Sequence, residues 1–182
     1  MASRRQLLCC ATVAGGAILL AGCGGRSSRP SVSGLSPPAR DTDVALLNRV
    51  LDLEHATIAA YTAGIPRLSG AGQIAAKRFL AQELSHAGQL RRLIKQARGY
   101  AHVPEPSYDL GNPHDGRDVL MLLHRSEGAQ VATYIEVLPG LSPGSVRAAV
   151  ASILANDAQH ISILRSAIGL EPDPAALVTG SE

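Results

Sequence analysis

Hydrophobic residues in the body of the chain recur at alternating intervals of three and four positions, which is the spacing of one face of an α-helix. Four runs show this pattern, over residues 44–61, 76–97, 120–134 and 146–167. Glycine, proline or serine stands near the ends of these runs, where such residues stop helices or cap their starts. The pattern therefore predicts four amphipathic helices.

The ends of the first two helices follow from the residues that flank the runs. The first helix is expected to start at Asp41 or Thr42 and to stop at Gly64. The second is expected to follow Ser69 and to stop at Gly99. Such boundaries place the first two helices a few residues apart, so they pair as an antiparallel hairpin.

The second half of the chain is read in the same way. Residues 100–115 contain three prolines and are predicted to form a loop. The fourth helix is expected to be capped at Ser142 or Ser145. The helical domain should then span residues 41–170, followed by a frayed tail over 171–182.

The two halves of the chain repeat one another. Glu54 and Tyr61 recur as Glu127 and Tyr134 at an offset of 73 residues, and the segment 79–86 recurs at an offset of 74. Motifs on separate helices share nearly one offset, so the repeated unit is a whole helical hairpin. Because the loop between the hairpins is long, the sequence predicts an all-α four-helix bundle with one long crossover.

Composition agrees with a single helical domain. The chain has 182 residues, of which 46% are hydrophobic and only 3% aromatic, a balance typical of helices rich in alanine and leucine. The net charge is +2, from 17 basic and 15 acidic residues. No basic stripe interleaved with aromatic residues is present, so nucleic acid is not an expected partner.

Polar residues interrupt the hydrophobic seams at six positions that the pattern assigns to the core. They are Glu54, Glu83, His86, Glu127, Asp157 and His160. Buried carboxylates are costly unless they are paired or bind a cation, and four of them together would repel one another. Two divalent cations would balance four carboxylates, with two neutral imidazoles completing the ligand set. The spacing i, i+3 also lets a carboxylate and an imidazole of one helix face the same metal region.

Four segments carry a resemblance to a known family. They are Leu53-Glu54-His55 with Tyr61, Gln82-Glu83-Leu84-Ser85-His86, Ser107-Tyr108-Asp109-Leu110-Gly111, and Asn156-Asp157-Ala158-Gln159-His160. From about residue 43 to residue 169 the chain resembles the ferritin-like superfamily, in particular bacterial ferritin-like domain proteins related to plant desiccation-associated proteins.

The resemblance implies a di-iron or di-manganese centre. It implies that Glu54 and Glu127 are outer ligands, that His86 and His160 each serve one metal, and that Glu83 bridges the two metals. Asp157 stands where a second bridging glutamate is usual, and it is one methylene shorter. We therefore expect two unequal metal positions, with the weaker one held with His160.

Other interpretations of these residues stay open. The six polar residues could form a buried hydrogen-bonded network without metal, and Glu54 and Glu127 could be charges at the edge of the seam. Tyr61 and Tyr134, two turns beyond their glutamates, either take part in redox chemistry or are amphipathic core residues. His55 is interpreted as a surface residue or as an outer neighbour of the centre.

The N-terminus predicts export and a lipid anchor. Arg4 and Arg5 precede a short apolar stretch, and the signal peptide is predicted to occupy residues 1–22. Leu20-Ala21-Gly22-Cys23 resembles a lipobox, so Cys23 is the predicted site of lipidation. Residues 23–40 should form a flexible tether. The paired arginines resemble a twin-arginine signal, but the general export route stays open.

These features lead to two hypotheses about function. The first is a membrane-anchored lipoprotein of the cell envelope, with a dinuclear iron or manganese centre that reacts with oxygen or peroxide. The second is a non-enzymatic, stress-related or structural surface lipoprotein without a functional metal site. The only cysteines are Cys9, Cys10 and Cys23, so no thiolate metal site or disulfide is expected in the mature domain. Whether the chain forms a homodimer is left open.

Overall fold

The computed structural model describes residues 37–182, with side chains from residue 40. The described part contains four α-helices: α1 (Pro37–Gly64), α2 (Gly70–Gln96), α3 (Gly116–Val137) and α4 (Gly144–Ala167). Short 3-10 turns follow α1 and α3, and no strand occurs within residues 37–182. The predicted all-α four-helix architecture is confirmed.

The helices form two hairpins joined by the crossover. The first hairpin is α1 with α2, the second is α3 with α4, and α1 also packs against α3. Gly116 at the start of α3 lies against Arg67, which follows the end of α1. Because α3 starts where α1 ends, the crossover must run the length of α2, about 40 Å at 1.5 Å per residue.

Side chains of α1 fix the start of the crossover. The Asn48 side-chain amide donates to the Tyr100 carbonyl at 2.9 Å and accepts from the His102 backbone N–H at 2.8 Å. His102 Nδ1 also lies 3.0 Å from both carboxylate oxygens of Asp52. Gly99 lies so close to Val44 that an added Cβ would overlap its side chain, so this glycine serves close packing.

Several predicted boundaries differ from the observed ones. α1 begins at Pro37, so the last residues assigned to the tether are helical, and neither Asp41 nor Thr42 caps the helix. Proline suits a first turn because its missing N–H would have no partner there. α4 is preceded by Pro143 and has no side-chain cap, so neither Ser142 nor Ser145 caps it.

Two further boundaries also differ. α2 ends at Gln96, and it is Arg98 rather than Gly99 that adopts a positive φ, of 61°. The tail, expected to fray, returns along α3. Gly180 lies so close to Gly128 that a Cβ on Gly128 would come within 2.7 Å of the Gly180 carbonyl oxygen.

The hydrophobic core has two parts, one on each side of the polar residues of the seam. One part includes Leu51, Leu90, Ile94 and Tyr134, and the other includes Tyr61 and Phe79 in a separate cluster. The bundle therefore holds its buried polar residues between two apolar layers. No helix within the described residues is long and apolar enough to cross a bilayer.

The predictions for the N-terminus lie outside the described residues. They concern the signal peptide over residues 1–22, the lipidation of Cys23 and most of the tether over residues 23–40. They stay predictions.

Candidate metal centre

The six polar seam residues meet in the middle of the bundle, one or two from each helix. α1 contributes Glu54, α3 contributes Glu127, and α2 and α4 each contribute a carboxylate and a histidine. The four carboxylates have no exposed surface, and His160 is 1% exposed. His86 is the most exposed of the six, at 9%.

Ligand atoms of these residues form two overlapping groups. Glu83, Glu127, Asp157 and His160 form one group, and Glu54, His86 and Asp157 form the other. Within each group, one nitrogen or oxygen of every residue lies within 4.8 Å of the others. The residue common to both groups is Asp157. The geometry thus gives two adjacent candidate positions with a shared carboxylate.

The imidazoles lie on either side of Glu83. Its Oε1 is 3.6 Å from His86 Nδ1 and 3.3 Å from His160 Nδ1. The carboxylate nearest to His86 Nδ1 is that of Asp157, at 3.2 Å, although Glu83 belongs to the same helix as His86. His160 Nδ1 is nearest to Glu127, at 3.1 Å. Each imidazole therefore turns its Nδ1 towards the carboxylates.

Two tyrosines connect the hairpins at the centre. Tyr61 of α1 donates from its hydroxyl to Glu127 Oε1 of α3 at 2.5 Å. Tyr134 of α3 donates in the same way to Glu54 Oε1 of α1. Each tyrosine thus holds one oxygen of the outer glutamate that belongs to the other hairpin.

Three residues without a predicted role also touch the centre. Gln130 donates to Glu83 Oε2 at 3.0 Å, and Gln82 Oε1 lies 2.9 Å from His160 Nε2. The Phe79 ring stacks on the His160 ring, with centroids 4.0 Å apart. Gln130 follows Glu127 by three positions on the same helix face, a spacing that could have revealed it. Gln82 lies off the seam, and no spacing points to it.

Several buried candidate ligand atoms have no hydrogen-bond partner, and this observation bears on whether the centre suits a metal ion. Among the described residues these atoms include Glu54 Oε2, Glu83 Oε1, His86 Nδ1, Glu127 Oε2 and both oxygens of Asp157. An unpartnered buried polar atom costs about 1–3 kcal/mol, and such atoms are rare in folded proteins. These atoms belong to the two candidate positions, so cation binding would satisfy them together, whereas four further unpartnered atoms of the described chain belong to other residues: Asp43, His55, His124 and Gln130.

The carboxylates do not all ionise at neutral pH. Burial first, and the charges of Glu83 and Asp157 second, raise the pKa of Glu54 well above its usual value. Burial and the charge of Glu83 raise the pKa of Glu127 to about 8, and burial raises the pKa of Asp157 to about 6. Burial alone would also raise the pKa of Glu83, but the neighbouring imidazoles outweigh it and leave this pKa lowered.

The histidines shift in the opposite sense to ordinary buried histidines. Burial alone would lower the pKa of His86, but the carboxylates of Asp157 and Glu83 raise it to about 10. For His160, Glu127 and Glu83 outweigh burial and raise the pKa to about 9. At pH 7 both imidazoles would be protonated, and Glu127 would keep its proton. In the metal-free cluster, protons therefore offset part of the carboxylate charge that cations would otherwise balance.

The remaining histidines lie away from the two candidate positions. His55 is only 5% exposed, so the interpretation as a surface residue is wrong, and its Nδ1 has no hydrogen-bond partner. Burial lowers the pKa of His55 and of His124. The described part of the chain has no other group of three or more potential ligands than the two at the centre.

The donor set has a definite chemical preference. Four carboxylates and two imidazoles offer oxygen and nitrogen atoms and no sulfur. This combination suits iron, manganese and similar cations rather than copper(I). Glutamates from two helices and a carboxylate-x-x-histidine pair from each of the others form the arrangement found in dinuclear carboxylate bundles. The buried cluster is therefore compatible with a dinuclear metal site.

Solved structures with a similar fold include proteins from two bacteria. A conserved hypothetical protein from Mycobacterium tuberculosis has a TM-score of 0.65 and 20% identity, over 70% of this chain and 97% of that one. A protein from Bacillus anthracis, described as ferritin-like and diiron-carboxylate, has a TM-score of 0.60 and 19% identity, over 74% of this chain and 100% of that one. At these identities the likeness establishes the fold alone.

Sequence comparison identifies the family. Among curated proteins, none is similar enough in sequence to match the chain. The family model of the ferritin-like domain, however, matches residues 42–170, which is most of the chain and includes all four helices almost completely. This match confirms the resemblance inferred from the sequence motifs: the chain belongs to the ferritin-like domain family.

Proposed function

We propose that the protein binds a dinuclear iron or manganese centre and uses it for redox chemistry with oxygen or peroxide. The observation that carries this proposal is the set of buried, unpartnered ligand atoms that converge on two adjacent positions. A purely structural network would be expected to satisfy its own hydrogen bonds. The description of the Bacillus anthracis protein as diiron-carboxylate supports iron in a bundle of this fold.

Each of the two outer glutamates has one carboxylate oxygen that accepts a hydrogen bond and one that has no hydrogen-bond partner. Tyr134 occupies Glu54 Oε1 and Tyr61 occupies Glu127 Oε1, while Oε2 of each glutamate has no partner. Burial raises the pKa of both tyrosines well above 10, so each hydroxyl keeps its proton and remains a donor. We assign both tyrosines a positioning role, because each fixes the carboxylate of an outer glutamate and leaves its second oxygen without a hydrogen-bond partner.

The central residues would hold both metals. Asp157 offers two unpartnered oxygens, and Glu83 offers Oε1 while Gln130 holds its Oε2. Gln82 accepts a hydrogen bond from His160 Nε2–H, which leaves the lone pair of Nδ1 free for a metal. Iron or manganese would supply the capacity to exchange electrons with oxygen or peroxide. The surrounding residues hold the ligands in place and exclude bulk water from all but one edge.

Metal content tests this proposal. Full-length protein produced with iron or manganese supplied should retain up to about two metals per chain, as determined by elemental analysis. The metal-loaded protein should also consume hydrogen peroxide or oxygen faster than the metal-free protein does. A protein that carries no metal, and melts at the same temperature with and without added iron or manganese, would instead favour the non-enzymatic alternative.

We further propose that the protein acts outside the cytoplasm, anchored to the membrane by lipid on Cys23. Support comes from the paired arginines, the apolar stretch after them and the Leu20-Ala21-Gly22-Cys23 motif. A labelled fatty acid should be incorporated into the wild-type protein and not into Cys23→Ala. Labelling that survives this substitution would contradict the anchor, and replacing Arg4 and Arg5 by lysine tests the twin-arginine route.

A further inference from the structure

The groove between α2 and α4 is the place where the centre comes closest to the protein surface. It has a volume of about 640 Å³, and His86 is one of its lining residues. His86 Nδ1 faces the carboxylates, while the residue keeps 9% of its surface exposed and lines the groove. The other five candidate ligands are at most 1% exposed. The groove therefore reaches the centre at one imidazole only.

The His160 end of the centre is closed by two residues of α2. The Phe79 ring covers one face of the imidazole, and Gln82 occupies Nε2 at 2.9 Å. An aromatic ring at 4.0 Å leaves no room for a water molecule between the two rings. Access to this end would require the helices to move.

The His86 end has smaller residues at the matching positions. The offset of 74 relates Phe79 to Ile153 and Gln82 to Asn156, and both of these α4 residues line the groove. Asparagine is one methylene shorter than glutamine, and within the described residues no hydrogen bond joins Asn156 to His86. Thus both differences between the repeats, Ile153 in place of phenylalanine and Asn156 in place of glutamine, leave the His86 imidazole less covered than that of His160.

We propose that the α2–α4 groove is the entrance to the centre, and that the His86 end is the position where metal exchanges and small molecules bind. Ser85, Gln89, Asn156 and Gln159 give the groove hydroxyl and amide groups, and His86 is its only ionisable side chain. This lining suits small, neutral, polar molecules, of which water and hydrogen peroxide are examples. Apart from His86, it offers no cationic side chain for an anionic substrate.

The entrance itself can be tested without metal. A chain in which Cys9, Cys10 and Cys23 are replaced by serine contains no other thiol. In that chain, His86→Cys and His160→Cys each place a single thiol at one end of the centre. Iodoacetamide should modify the thiol at position 86 at least about tenfold faster, because position 160 becomes accessible only through local unfolding. Equal rates in two variants of equal helical content would overturn the proposal.

The exchange position rests on the proposed function and needs a second experiment. Full-length protein loaded with manganese and mixed with a chelator should lose metal in two phases. Asn156→Gln should slow the fast phase about tenfold by covering His86, and the matched control Gln82→Asn should accelerate the slow phase about tenfold. Fast release that Asn156→Gln leaves unchanged would overturn the proposal. A chain that binds neither manganese nor iron would contradict the proposed function, whereas the thiol result would still decide whether the groove is the entrance.

Discussion

Each end of the centre has one glutamate held by one tyrosine, but the two ends differ in the residues that surround the imidazole. At both ends a tyrosine of one hairpin holds the outer glutamate of the other. His160 is stacked against Phe79 and hydrogen bonded to Gln82, whereas His86 lines a groove. The repeat has kept the ligands nearly constant while their neighbours diverged. If both candidate positions bind metal, we expect differences between them to come from the neighbours as much as from the candidate ligands.

This comparison changes the expectation that the short side chain of Asp157 weakens the His160 end. Asp157 belongs to both groups, and its Oδ1 lies 3.2 Å from His86 Nδ1. Its length therefore does not single out either end. Gln130 holds one oxygen of Glu83, while Thr57 at the matching position is too short to hold Asp157 in the same way. Asp157 thus keeps two free oxygens and is the better placed shared ligand.

The largest effect is expected from removing the ligand that both ends share. Asp157→Asn keeps the size of the side chain but removes its charge, so it should lower metal content from about two per chain to nearly none. Glu54→Gln should remove only the metal at the His86 end. Elemental analysis would measure both variants, with the exposed Asp52→Asn as a control. Retention of one metal in Asp157→Asn would show that the ends are independent.

The second prediction concerns pH, where metal-free and metal-loaded protein should behave in opposite ways. Without metal, the raised pKa of about 8 for Glu127 means that its contribution to stability is present below its unfolded value of 4.5 and is lost as pH rises towards 8. The raised pKa values of His160 and His86, about 9 and about 10, extend that loss to higher pH. Metal-free protein should therefore become less stable from about pH 5 to about pH 9.

Metal reverses this trend because its ligands must be deprotonated. Filling both positions at pH 7 should release protons from the two histidines and from Glu127. Urea unfolding with and without manganese should show a stabilisation by metal that grows as pH rises. Calorimetry in buffers of different ionisation enthalpy would count the protons. Metal binding that releases no protons would contradict the charge balance of the cluster.

The third prediction tests the part of the centre in which the ends are alike. Tyr61→Phe and Tyr134→Phe each remove one hydroxyl that donates to a buried glutamate, so each should lower the free energy of unfolding by about 1–2 kcal/mol. Urea unfolding of the metal-free protein would measure this, with Tyr100→Phe, 92% exposed, as the control. Clearly unequal effects would show that the two tyrosine bonds are not equivalent.

The smallest effect is expected at the surface contact between the hairpins. Arg49 of α1 pairs with Glu136 of α3, and their side chains are 55% and 59% exposed. Water and salt screen such a pair, so Arg49→Ala should change the free energy of unfolding by less than about 1 kcal/mol. The same urea experiment at low and high salt would check this. A change as large as that in Tyr61→Phe would mean that the surface pair contributes as much as the buried bonds.

The fold and the clustering of the six polar residues could be predicted because both depend on periodicity. The i, i+3 spacing and the internal repeat place Glu83 and His86 on one helix face, whatever the angles between the helices. The hydrogen bond from Gln130 and the contact of Gln82 depend on how the helices are rotated against one another, which spacing does not determine. The binding of metal by these residues and the lipidation of Cys23 remain predictions.

The ends of the helices were less predictable for a different reason. Several residues near the start of α1 and of α4 can cap a helix, and local chemistry does not choose between them. Contacts between distant residues also matter near these helix ends. The Asp43 carboxylate accepts a hydrogen bond from the Ser142 backbone N–H at 2.9 Å and so joins α1 to the segment before α4. A contact over such a separation in sequence leaves no local pattern.

Each hairpin donates a tyrosine hydrogen bond to the outer glutamate of the other hairpin. This exchange relates the two hairpins by an approximate twofold axis that passes between Glu83 and Asp157. Tyr61 follows Glu54 by the same number of residues as Tyr134 follows Glu127. Two copies of the first hairpin, placed around such an axis, would therefore bring each Tyr61 to the Glu54 of the other copy. The full chain is in this sense a symmetric dimer joined by its crossover. Joining the halves lets the first hairpin cover the imidazole of the second while the second leaves that of the first open, which two identical subunits could not do.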